Sequence, residues 1–177
     1  DSPVVFQNEN GTSWKPENFT GKFSGPMIIL NALTHSINVA TVKQAHQVGL
    51  TNIKKYAKKL GISSQLGNDY TVALGSSSLS LIELTNAFSA FATGGMLAEP
   101  MSILSVKDNS GGTLEQRSIK VSEAILPTTA YIMTFMLENV INKGTAKIIR
   151  QMGFAGPCAG KTGTTNDHTD AWFIGYI

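Results

Sequence analysis

The segment 159–177, AGKTGTTNDHTDAWFIGYI, constrains the fold more than any other stretch of the chain. It contains Gly160–Lys161–Thr162, the last three positions of a phosphate-binding G-x-x-x-x-G-K-[ST] loop. The leading glycine of such a loop belongs at position 155, which is Ala155; Gly156 is one residue too close. That spacing sets how backbone amides wrap a phosphate. The loop should also open a helix whose N-terminus receives the anion. Here Gly163, two threonines and a polar stretch lead instead into the aromatic run AWFIGYI. The segment therefore reads as a β-hairpin turning at TTNDHTD, and nucleotide binding is set aside.

The remainder alternates helices with hairpins. Residues 1–25, rich in Asn, Gly, Ser, Thr and Pro, read as irregular. PMIILNALTHSINVATVKQAHQVG carries helical periodicity twice, broken near His35–Asn38. Ile29, Ala32 and Leu33 form one apolar face; Val39, Val42, Ala45 and His46 continue the second helix to Gly49. A short helix follows at TNIKKYAKKLG, with Thr51 or Asn52 as its cap and Gly61 as its stop. Its KKYAKK run is most simply a solvated face, and no aromatic ladder or motif supports nucleic-acid binding.

Ser80 and Glu83 form a capping box for the next helix, where Leu81, Leu84, Phe88 and Phe91 make an apolar stripe ending at Gly94–Gly95. A hairpin is expected with strands at 101–107 and 113–117. A helix after Pro127, with its Met and Phe residues in the core, and a shorter one in GTAKIIRQMG complete the pattern. The fold class is mixed α/β of the α+β kind: an antiparallel sheet flanked by helices. A 177-residue chain that is 42% hydrophobic and 15% charged can bury such a core. The single cysteine, Cys158, lacks zinc-type spacing and reads as a small buried residue. No run of 18 apolar residues is present.

Two short motifs carry chemistry. On a strand, Gly163 lets a substrate backbone lie close. Lys161 supplies fixed positive charge, and Thr162 and Thr164 offer hydroxyls to a carboxylate or an amide. The amide of the residue after the glycine can face a developing oxyanion. The second motif is Ser36–Ile37–Asn38. Its plain reading is an N-cap on the helix beginning near Val39. Its functional reading has Ser36 relaying a proton while Asn38 orients a substrate amide.

S-x-N followed by K-T-G resembles the signature of penicillin-binding proteins and class A β-lactamases. WKPENF, GPMIILNALTHSINVATV, YAKKLGI, ALGSSSLSLIELTNAFSAFATGG and AGKTGTTNDHTDAWFIGY are similar to the transpeptidase domain of bifunctional, class A penicillin-binding proteins, so the likeness covers nearly the whole chain. It implies a D,D-transpeptidase that cross-links peptidoglycan through a serine acyl-enzyme, with stem peptides as substrates and β-lactams as mimics. Ser36 would then help protonate the leaving group and Asn38 hold the substrate amide. Lys161 would sustain the electrostatics, Thr162 and Thr164 bind the substrate carboxylate, and the Thr164 N–H line the oxyanion hole. The resemblance implies the bacterial cell envelope, at the periplasmic face of the inner membrane. It implies no cofactor, no metal, and membrane contact only through an N-terminal anchor.

The family's S-x-x-K box is missing: no serine has lysine three residues on. Thr51-Asn52-Ile53-Lys54 is a hydroxyl look-alike, but it follows S-x-N where the family's box precedes it. The nucleophilic serine is thus expected on a companion polypeptide or an upstream segment. Residues 1–177 are expected to be the C-terminal portion of the domain, with the S-x-x-K segment upstream and a final strand and helix to follow. The alternatives are a non-catalytic sensor or scaffold of the same fold, and a β-lactamase, for whose hydrolytic base no residue stands out.

Overall fold

A computed structural model describes residues 1–7, 11, 13–165 and 169–177. Helices α1 (Ile29–Thr34) and α2 (Asn38–Val48) are separated by a corner at 35–37. Within it Ser36 sits at φ 54°, the one positive φ outside glycine among the described residues. L-residues pay sterically for that conformation. Helix α2 buries Val39, Val42 and Ala45, as their spacing predicts, while His46 stays exposed against the rings of Phe6 and Tyr70. Gly49, at φ 83°, ends α2 and starts α3 (Leu50–Lys59). Thr51 and Asn52 lie inside α3 and do not cap it, because the glycine bend places the helix start at Leu50. Helix α3 has no buried residue, which fits KKYAKK as a solvated face.

Helix α4 (Leu81–Ala92) begins at the expected capping box. Its apolar stripe is shifted from the expected one: Ala87 and Ala90 are buried, Leu84, Phe88 and Phe91 half-buried, and Leu81 exposed. Helix α5 (Pro127–Asn142) buries Ala130, Leu137, Val140 and Ile141, whereas Phe135 is exposed and its Met residues are only half-buried. The last helix, α6 (Ile148–Gln151), is shorter than GTAKIIRQMG suggests. A 3-10 turn at Tyr70–Leu74 packs on α2.

Among the described residues the strands form four two-stranded antiparallel ladders rather than one sheet. Phe6–Gln7 (β1) pairs with Ser13–Trp14 (β2), a local order not expected in the N-terminal stretch. Met96–Ala98 (β3) pairs with Val121–Glu123 (β6), also unanticipated. The expected hairpin is present but shorter, Ser105–Lys107 (β4) against Thr113–Gln116 (β5). Ala159–Thr164 (β7) pairs with Ala171–Tyr176 (β8), as the terminal segment predicts; part of its turn, residues 166–168, lies outside the described residues.

Helix α5 packs on α1, α4 and β7. Val140, Ile141, Ala146 and Cys158 form a buried cluster there, with Leu33 and Ile149 against it. This cluster joins the helix that precedes S-x-N to the strand that carries K-T-G. Among the described residues no helix is long and apolar enough to cross a membrane.

Candidate active site

The α1–α2 corner and β7 meet through one side chain. Lys161 Nζ donates to Ser36 Oγ at 2.9 Å, across 125 positions of sequence. The same ammonium donates to the Thr162 carbonyl at 2.9 Å. Lys161 is half-buried, and that burial pushes its pKa below the ordinary lysine value, since desolvation penalises the charged form. The ion pairs described, Arg117–Glu115 and Lys120–Glu99, leave Lys161 out. Its charge is held by neutral oxygens and remains available to an anionic group. Because Lys161 donates to Ser36 Oγ, the exposed Ser36 hydroxyl keeps its own proton to give to a third group.

Asn38 is the first residue of α2, and its Nδ2 donates to the Glu17 carbonyl at 3.0 Å. Its Oδ1 has no partner among the described residues and can accept an amide N–H. Neither Ser36 nor Asn38 caps α2 through its side chain, so the plain reading of both fails. The capping is done from a distance: buried Asn18 accepts from the Val39 N–H at 3.1 Å. Asn18 is itself fixed, its Nδ2 donating to the Lys22 carbonyl at 2.8 Å and to the Asp1 carboxylate at 3.0 Å.

On β7 the pleat puts Lys161 and Gly163 on one face and Thr162 and Thr164 on the other. The Thr165 N–H donates to the Asp170 carbonyl at 3.1 Å, which sets the phase of the ladder. Hydrogen-bonded pairs alternate in an antiparallel pair. Lys161 and Gly163 therefore direct their backbone groups at β8, and Thr162 and Thr164 direct theirs at the opposite edge. No strand covers that edge among the described residues. A Cβ at Gly163 would meet nothing within 4 Å, so this wall faces open space. Thr164 is exposed and Thr162 half-buried.

The structure thus brings Ser36, Lys161 and Thr162 into one hydrogen-bonded group, with Asn38 at the same corner and Gly163 and Thr164 further along the strand. The look-alike Thr51–Lys54 stays in α3, where Lys54 donates to Asn68. A cavity of about 550 Å³ lined by Phe6, Lys43, His46 and Tyr70 shares no residue with this group. Sequence reading missed Asn18, and also Thr145, whose Oγ1 lies 2.6 Å from Thr162 Oγ1. Asn18 sits in the stretch read as irregular and Thr145 at the start of GTAKIIRQMG, and only their tertiary contacts single them out.

Comparison with known proteins identifies the family. The penicillin binding protein transpeptidase domain matches residues 2–177. The chain belongs to that family. Penicillin-binding protein 1A of Rickettsia bellii (strain RML369-C) is 33% identical over 200 residues, covering 99% of this chain and 25% of the relative. The chain therefore spans about a quarter of the length of the curated relatives it matches. Among solved structures, penicillin-binding protein 1A from Haemophilus influenzae superposes with a TM-score of 0.90 at 24% identity, covering 99% of this chain and 32% of that one. The imipenem acyl-enzyme complex of penicillin-binding protein A from M. tuberculosis gives a TM-score of 0.78 at 19% identity, covering 94% of this chain and 43% of that one. The expected resemblance to a penicillin-binding transpeptidase domain, and the mixed α/β fold that goes with it, are borne out.

Proposed function

We propose that the chain supplies the S-x-N and K-T-G walls of a serine D,D-transpeptidase that cross-links peptidoglycan stem peptides. The observation that carries this reading is the 2.9 Å hydrogen bond from Lys161 Nζ to Ser36 Oγ, which unites the two motifs. The nucleophile is a serine of an S-x-x-K segment outside residues 1–177. It attacks the carbonyl between two terminal D-alanines; the C–N bond breaks, D-alanine leaves, and an acyl-enzyme forms. Ser36 passes its proton to the leaving amine and takes up the one the nucleophilic serine gives up, supported by the desolvated Lys161. The Thr164 N–H, turned to the open edge, stabilises the oxyanion. Asn38 Oδ1 accepts from a substrate amide, and the Thr162 and Thr164 hydroxyls bind the terminal carboxylate beside the Lys161 charge. An amine of a second stem peptide then attacks the ester and releases the serine. This chemistry belongs to the periplasmic face of a bacterial cell envelope, and β-lactams block it by trapping the acyl-enzyme.

Fluorescent penicillin tests the reading. Residues 1–177 alone are expected to take no covalent label. The full-length protein, or this chain with the upstream segment supplied in cis or as a second polypeptide, is expected to be labelled. A covalent label on the isolated chain overturns the missing nucleophile. A full-length protein that takes no label overturns the transpeptidase and favours a non-catalytic sensor of the same fold.

A further inference from the structure

The turn after α5 touches both walls of the cleft. The Thr145 N–H donates to the Thr34 carbonyl at 3.3 Å, and Thr34 is the last residue of α1, two positions before Ser36. The Thr145 hydroxyl lies 2.6 Å from that of Thr162 in K-T-G. One residue therefore ties the S-x-N corner to the K-T-G strand, independently of Lys161. Gly144 makes the approach feasible: a Cβ there would fall 2.1 Å from the Thr34 carbonyl oxygen. The next residue, Ala146, is anchored in the buried cluster with Val140, Ile141 and Cys158. The tie thus stands on a rigid base, although Thr145 itself is exposed.

A hydroxyl has one proton to donate and two lone pairs to accept with. If Thr145 gives its proton to Thr162 Oγ1, the Thr162 proton is left for an incoming acceptor. The Thr162 rotor is then aimed before a ligand arrives, and a pre-aimed donor spares the ordering cost that a free one carries. The Thr145 amide bond to Thr34 fixes where this hydroxyl stands.

We propose that Thr145 is a positioning residue that orients the Thr162 hydroxyl as a donor to the substrate carboxylate. The proposal rests on the transpeptidase reading above. The test uses the full-length protein and compares acylation by a β-lactam acid with acylation by its methyl ester. Thr145→Val is expected to slow the acid by about tenfold, the size of one oriented hydrogen bond, and to leave the ester within about twofold. Thr145→Ser, which keeps the hydroxyl, should retain the wild-type ratio of acid to ester. In a Thr162→Val background, Thr145→Val should change that ratio no further. Should the valine variant fail to fold, Thr145→Ala supplies the same comparison. Equal slowing of acid and ester, or no slowing of either, overturns the proposal. A wild-type protein that neither acid nor ester acylates overturns the underlying transpeptidase reading instead, so the two failures are distinct.

Discussion

The start of α4 and the S-x-N/K-T-G cleft are both hydroxyl-rich sites around one ionised side chain, and they are built on opposite terms. At α4 the Glu83 carboxylate accepts from the Ser63, Ser64 and Ser80 hydroxyls at 2.6, 2.7 and 2.8 Å. It also accepts from the Ser63, Ser64 and Ser80 amides at 2.8, 2.9 and 3.1 Å. These bonds hold its carboxyl well below the usual carboxylate range. The cleft is poorer in partners. Ser36 is left-handed, Lys161 is desolvated without a carboxylate, and the Thr34 hydroxyl is buried with no partner among the described residues. Satisfied groups stabilise; strained and under-partnered ones collect where a chain must act on something else. On the proposed function, the contrast sets a stabilising α4 cradle against a cleft that acts on substrate.

Three variants sharpen or break that contrast. The largest effect is expected from Lys161→Met: acylation of the full-length protein by labelled penicillin falls by about a hundredfold or more. Its melting temperature should hold or rise, because a half-buried charge has been removed. A large loss of stability would make Lys161 structural and erase the difference. Ser36→Gly comes next. Glycine accepts φ 54° without steric cost, so relief of the left-handed strain should outweigh glycine's entropy and stabilise by up to about 1 kcal/mol. Acylation should fall with the hydroxyl. Chemical denaturation and the labelling rate read the two effects separately.

The smallest effect is expected from Glu83→Gln, and it is pH-dependent. A carboxyl with a depressed native pKa stabilises fully above its unfolded value of about 4.3 and loses that contribution as pH falls toward the native value. The melting temperature of the wild type should therefore fall as pH drops below about 4.3, and the Gln variant should lack that part of the slope. Its labelling rate at neutral pH should match the wild type. Loss of labelling without loss of stability would reverse the roles of the two regions.

How far each region was legible follows from the range of its interactions. The capping box spans Ser80 to Glu83, three residues apart, so its pattern is visible in sequence; the addition of Ser63 and Ser64 to the same carboxylate was not. The terminal hairpin was visible because β7 and β8 are six residues each and differ sharply in composition. The pair β3–β6 was not, since three-residue strands carry no periodicity and their partners lie far apart. The cap of α3 was misread because a polar residue near a helix start is a common signal, and Gly49 decided the start by its backbone instead.

The cleft divides the same way. Residue types at S-x-N and K-T-G offer a proton, a charge, an amide and an unobstructed backbone, and the resemblance to the family's motifs is what nominated Ser36, Asn38, Lys161, Thr162, Gly163 and Thr164. The sequence alone therefore determined the chemical inventory, the local helices and hairpins, and the absence of an S-x-x-K serine from residues 1–177. It could not say that α2 is capped by Asn18, that Glu17 holds Asn38, or that Thr145 stands between Thr34 and Thr162. Those contacts join segments 17 to 111 residues apart. Packing of α5 against α1 and β7 decides the Thr145 contacts, because the buried cluster around Val140 and Ile141 lies between the two walls.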